Sequence, residues 1–262
     1  MKRAFTLIEL LVVIAIIGLL LSVLVPSLRM AKQQMRFVKC KTNQRGILEA
    51  VNVYMAGHDF RLPPSTQGTE GGHWTIPMRL KYHYGTDGLN GGSVVDVLGD
   101  YMASPEYFDC PLAAHSADWQ SAYLQAARDD EVKFVNCSYY LLWNWRRFED
   151  TRPRFRPTDD GGDTLMTCDF LMYDEPQNNN YHGGTFWIGT HPWRGASRLT
   201  FADAMVGSTL NEGFTFWMQE GSYDAWPEMK LSAGYKDGHV ETFKSEDYEH
   251  MGGVYFLPKV RR

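Results

Sequence analysis

The chain has 262 residues, of which 44% are hydrophobic and 14% aromatic, enough to build one sizeable core. A formal net charge of −5 with 22% charged residues excludes a disordered polyelectrolyte and a basic nucleic-acid-binding surface. Cys40, Cys110, Cys137 and Cys168 show no metal-type spacing, which excludes a zinc-finger framework readable from sequence.

The N-terminus carries the strongest pattern. Met1-Lys2-Arg3-Ala4 precedes Phe5-Thr6-Leu7-Ile8-Glu9, and an uncharged apolar run follows from Leu10 to Val25. Residues 5–25 would form a helix of ~30 Å at ~1.5 Å per residue, the thickness of a hydrocarbon core. A secretory signal peptide has a shorter apolar core and a small-x-small cleavage site, and Ser22-Val23-Leu24-Val25-Pro26-Ser27 is a poor one. A plain signal anchor fits length and flank but gives no reason for Glu9. Carboxylates inside a membrane-grade helix are costly and mark function. The alternative for Glu9 is local: Thr6 to Glu9 has capping-box spacing, which applies if the helix starts at Thr6.

Beyond Pro26, whose ring removes a backbone donor and should kink or locally melt the helix, the pattern continues. Leu28, Ala31, Met35, Val38, Ile47, Val51 and Tyr54 recur at helical steps, with a polar gap near Thr42 and a stop at Gly57. Residues 1–57 hold eight Lys/Arg against Glu9 and Glu49, so this arm carries +6. The remaining residues carry 18 basic and 29 acidic groups, or −11.

Residues 58–262 are expected to form one β-rich head. Strand-like runs are Val132–Trp143, Leu165–Tyr173, Thr185–Gly189, Leu199–Val206, Phe214–Met218, Met229–Tyr235, His239–Phe243 and Val254–Leu257. Asp237-Gly238 is a two-residue hairpin signal. Ser93–Tyr101 and Ala117–Arg128 are helix candidates, and glycine-rich stretches 68–72 and 85–92, with Asp159–Asp163, read as loops. The fold class is α+β: a long N-terminal helix packed on an antiparallel sheet with large loop insertions.

Phe5 through Gly18-Leu19-Leu20 resembles the class III signal of type IV pilins and type II secretion pseudopilins. In that family a prepilin peptidase cuts after a small residue and methylates the new amine. The resemblance implies cleavage after Ala4, where Gly is usual, and methylation of Phe5. It also implies assembly roles for Glu9, Gly18 and Pro26, with Glu9 pairing the Phe5 amine of a neighbouring subunit. Residues 1–4 would be the leader, 5–26 the transmembrane and assembly helix, 27–57 an amphipathic arm and 58–262 an exported head.

The implied partners are prepilin peptidase, other pilin-like subunits, further copies of this chain and the bacterial inner membrane, without nucleic acid. The protein would be single-pass, with its head in the periplasm or, after assembly, on the cell surface. Six basic residues after the span would place that side in the cytoplasm by the positive-inside rule. Lys2 and Arg3 favour a cytoplasmic N-terminus, and the resemblance implies an exported head. The stretch Cys40-Lys41-Thr42-Asn43 through Ile47, Ala50 and Tyr54 is similar to a pseudopilin-like family that ends in a His…Asp-Gly-His-Val box. Pro63-Pro64 and Phe108-Asp109-Cys110-Pro111 fit its later landmarks, and Asp237-Gly238-His239-Val240 fits the box. The family's His nine residues earlier is Pro227 here, and His191 to Asp203 looks like a second, imperfect copy.

Candidate chemistry in the head is weaker. An exported head permits disulfides, and four cysteines allow three pairings. Cys137 and Cys168, each in a strand-like run, are the candidate bridge, with buried free thiols as the alternative. Asp159-Asp160-Gly161-Gly162-Asp163 suggests calcium, which related major pseudopilins bind, but it lacks EF-hand spacing and an acidic turn is preferred. His182, His191, His239 and Asp237 are candidates for a zinc or acid–base site, yet Asp237-Gly238 already has a turn role. No cofactor and no enzymatic activity are expected. Trp187, Trp193, Trp217 and Trp226 would line a glycan- or partner-binding face or, more commonly, an aromatic core. Two functions compete: a filament or pseudopilus subunit, and a membrane-anchored exported binding module.

Overall fold

The computed structural model describes residues 7–63, 79–82, 94–113, 134–143, 164–174, 185–200, 215–252 and 255–259. The fold is α+β with a pilin-like architecture, a long N-terminal helix followed by antiparallel sheets. The chain divides into two compact units, Met1–Val38 and Lys39–Arg262.

Helix α1 runs Leu7–Gly57. The expected local melting at Pro26 does not occur, because the helix continues through it. Near the proline, Ser22 Oγ donates to Leu19 O at 2.7 Å and Ser27 Oγ to Leu24 O at 2.8 Å. Such hydroxyl bonds to the preceding turn help a helix tolerate a lost backbone donor in an apolar medium. The helix stops where Gly57 was expected to stop it. His58 and Phe60 amides then return to the Met55 carbonyl, with Asp59 and Phe60 left-handed at φ 53° and 59°.

In the larger unit, the last turns of α1 bury Cys40, Asn43, Gln44, Ile47, Leu48, Ala50, Val51 and Met55. This spacing is one helical face. The polar gap read near Thr42 is part of that face: Asn43 and Gln44 are core residues whose amides are used inside. Asn43 Nδ2 donates to Asp109 O at 2.6 Å.

That face lies on a four-stranded antiparallel sheet ordered β10-β9-β4-β3, formed by Tyr139–Leu141 (β3), Leu165–Asp169 (β4), Lys230–Tyr235 (β9) and Val240–Lys244 (β10). Gly234 in β9 permits the approach, since a Cβ there would meet Leu48 Cδ1 and Thr167 Oγ1 at 2.7 Å. Gly46 does the same on another side of the helix, where a side chain would overlap the Tyr107 ring.

The second sheet has six antiparallel strands, ordered β11-β12-β5-β6-β8-β7. They are Leu171–Asp174 (β5), Phe186–Gly189 (β6), Ser197–Thr200 (β7), Thr215–Glu220 (β8), Tyr248–Gly252 (β11) and Tyr255–Pro258 (β12). Arg79–Tyr82 (β1) pairs with Phe134–Asn136 (β2), and Val94–Leu98 forms the short α2.

Phe170 alone separates β4 from β5, so the run read as one strand turns there from the first sheet into the second. Thr190 holds the corner: its Oγ1 accepts from Phe170 N at 3.0 Å and its amide donates to Phe170 O at 3.2 Å. Tyr140, Cys168, Phe170, Leu171, Trp187, Phe216, Leu231, Tyr235, Tyr248 and Phe256 fill the core. Three of the four tryptophans suspected of lining a binding face spend their N–H groups internally. Trp187 donates to Ser222 O, Trp193 to Gln219 Oε1 and Trp217 to Leu112 O. Trp226 packs on Trp187 and Phe256 at 4.8 and 5.2 Å. Among these four, Trp187 and Trp193 belong to the core and Trp217 and Trp226 pack against it.

Candidate functional site

Apolar side chains of α1 from Leu7 (80% exposed) to Met35 (63% exposed) are exposed. This is the only described helix long and apolar enough to cross a membrane. Glu9 sits in the first turn of that helix. Among the described residues, a Cβ at Gly18 would meet nothing within 4 Å, so no contact seen there requires glycine. Ala4 and Phe5 lie outside the described residues.

In the head, a hairpin forms at Asp237-Gly238, but not the two-residue turn expected: the turn runs Tyr235 to Gly238, with Gly238 left-handed before His239 O accepts from Tyr235 N at 3.0 Å. Val240 pairs with Gly234, Gly238 takes φ 91°, and Gly238 N donates to Tyr235 O at 2.8 Å. Asp237 Oδ1 accepts from His239 N at 3.0 Å, an Asx turn, and lies 2.5 Å from His239 Nδ1. The His239 amide, then its ring, hold the Asp237 carboxyl below the usual value of 3.8 against slight burial. His239 stacks on Tyr235 at 4.3 Å, and Val240 is half-buried. The box therefore builds a turn.

The grouping of His191 with Asp237 and His239 is not realised. His191 Nδ1 lies 2.6 Å from Lys230 O, at the opposite end of β9 from the turn. His182 and the acidic 159–163 stretch considered for calcium lie outside the described residues.

The proposed Cys137–Cys168 bridge is corrected. Both are buried free thiols, and the disulfide joins Cys40 to Cys110 across 70 residues, with Cα atoms 5.2 Å apart. Cys137 donates instead to Tyr139 O at 3.0 Å, and burial pushes its pKa up to about 12. Cys40 reaches the bond from the buried face of α1. Cys110 reaches it from the segment after a short 3₁₀ turn, Pro105–Phe108, capped by Ser104.

Around that bond lies a buried polar cluster. His191 Nε2 is 3.3 Å from Cys110 Sγ and 3.4 Å from Asp169 Oδ1. Asp169 Oδ2 accepts from Ser232 N at 2.6 Å and Ser232 Oγ at 2.7 Å, and Oδ1 accepts from Gln44 Nε2 at 3.3 Å. Gln44 Oε1 takes the Thr167 hydroxyl at 3.3 Å. A carbonyl only accepts, so His191 Nδ1 carries its proton toward Lys230 and Nε2 faces sulfur and carboxylate. Burial pulls the His191 pKa down, but the Asp169 charge and hydrogen bond and the Lys230 carbonyl outweigh it, and the net shift is upward. Sequence reasoning noticed His191 but missed Asp169 and Gln44. The available signal was that Cys40 and Cys110, unlike the other two cysteines, fall within the landmark motifs of the resembled family.

Residues 1–25 match the family model of the prokaryotic N-terminal methylation motif, consistent with a type IV pilin-like prepilin signal. No curated protein and no solved structure matches the chain. The motif and the apolar helix together fit a membrane-anchored, single-pass, pilin-like precursor, and the motif implies processing by prepilin peptidase and assembly with other pilin subunits.

Proposed function

We propose that this protein is a structural, non-catalytic subunit of a type II secretion pseudopilus or type IV pilus-like filament, assembled through α1, with its head exported. The observation that carries the reading is the methylation motif at residues 1–25 on an apolar helix with Glu9 in its first turn. Cleavage after Ala4 removes Lys2 and Arg3 and creates an α-amine at Phe5. Glu9 of one subunit then pairs with that amine on the next. Such a pair in an apolar bundle acts mainly on register, because a mismatched stack would bury a charge alone. Gly18 and Pro26 fit the same role, Gly18 by leaving room for a neighbouring helix.

The test is twofold, on protein recovered from the native membrane. Mass spectrometry should find a chain beginning at methylated Phe5, and Glu9→Leu should lower filament yield at least ~10-fold, the equivalent of ~1.4 kcal/mol per contact. An intact Met1 together with undiminished assembly of the Glu9 variant would sink the proposal.

A further inference from the structure

We infer that Cys40, Cys110 and His191 form a zinc-binding site when the disulfide between the two cysteines is reduced. All three are buried, and one ligand atom from each lies within 4.8 Å of the others. The spacing already approximates a coordination shell. Around a tetrahedral zinc with Zn–S ~2.3 Å and Zn–N ~2.05 Å, sulfur and nitrogen sit ~3.6 Å apart. Cys110 Sγ to His191 Nε2 is 3.3 Å. The two sulfurs must separate from bonding distance to ~3.8 Å.

The surroundings are those of a metal ligand. His191 Nδ1 is tied to the Lys230 carbonyl at 2.6 Å, which fixes the ring and aims Nε2 at the sulfurs, the outer-shell arrangement common to metal-bound histidines. Nε2 faces the Cys110 sulfur and the Asp169 carboxylate, so the electrostatic environment there favours a cation. A disulfide alone needs neither a buried imidazole nor a buried carboxylate braced by Ser232 and Gln44.

The two states balance. A dithiol reductant gives up two electrons and two protons, becoming a disulfide, and Cys40 and Cys110 become thiols. Zinc then binds both sulfurs as thiolates, and two protons leave to solvent. Either state ties the buried face of α1 at Cys40 to the Cys110 segment, so the clasp survives a change of redox conditions.

The experiment uses the full chain in detergent, as purified and after reduction with a dithiol removed by anaerobic gel filtration. Each form is titrated with zinc and, separately, cobalt(II). The reduced chain should bind one zinc with micromolar or tighter affinity and give thiolate-to-cobalt charge-transfer bands, while the oxidised chain gives neither. His191→Gln should weaken binding at least ~10-fold, and Cys137→Ser should leave it unchanged. In the unmutated chain, zinc should slow alkylation of Cys40 and Cys110, mapped by mass spectrometry, which keeps the test decisive if the histidine variant misfolds. The proposal is overturned by a reduced chain that takes up no zinc, by equal uptake in the oxidised chain, or by unprotected cysteines. It is equally overturned by undiminished binding in a folded His191→Gln chain, or by loss of the fold on reduction that zinc does not reverse.

Discussion

Gly234 fixes how near the helix comes to the sheet. A methyl group there would press on Leu48 and Thr167 at 2.7 Å, with β9 held in register on both edges. Gly234→Ala should therefore cost ~1–3 kcal/mol, read as a lower thermal midpoint of the solubilised protein. Asp237 offers a pH-dependent counterpart. Its folded pKa is depressed, so its contribution to the turn is present above the ordinary carboxyl range and is lost as pH falls through the lower folded value. The expected outcome is a His239 amide whose protection from hydrogen exchange, relative to the intrinsic rate at each pH, falls as the carboxyl protonates in acid, with Asp237→Asn removing that pH response. The position of the hairpin was legible, because Asp-Gly favours a turn. The buried Asp169–His191 pair was not, because its partners come from positions 44, 110, 169, 191 and 232, and no local pattern encodes such a meeting.

At the scale of elements, α1 and most described strands could be read from periodicity and turn residues. Strands β1 and β11 could not: the pairing of each with its partner strand, more than propensity, decides them. The split of residues 165–174 at Phe170 escaped for a related reason. A continuous apolar run looks the same whether or not it changes sheet, and only the Thr190 latch marks the corner. The polar gap in α1 misled because Asn43 and Gln44 are buried for their hydrogen bonds. The Cys40–Cys110 bond fastens this part of the helix. Its loop of 70 residues would restrict the unfolded chain enough that opening it in chelator-treated buffer should lower stability by ~2–4 kcal/mol, measured by denaturant unfolding with and without reductant.

For the molecule as a whole, charge divides along the sequence more sharply than its net value shows. Residues 1–57 carry +6 and the remainder −11. If subunits stack as proposed, a basic arm on one copy faces acidic surface on another. Association of purified subunits should then weaken as salt rises from ~0.1 to ~1 M, where the screening length falls from ~10 to ~3 Å. Sedimentation across that range checks it, and salt-independent association would remove charge pairing from the account.

The disulfide has one more consequence. Because it closes a ring from residue 40 to residue 110, a single peptide-bond cut anywhere inside that ring leaves both fragments joined. The hydrophobic stem would stay covalently attached to the rest of the protein after such a nick. A clipped molecule would run intact on a gel until its sulfur–sulfur link was broken.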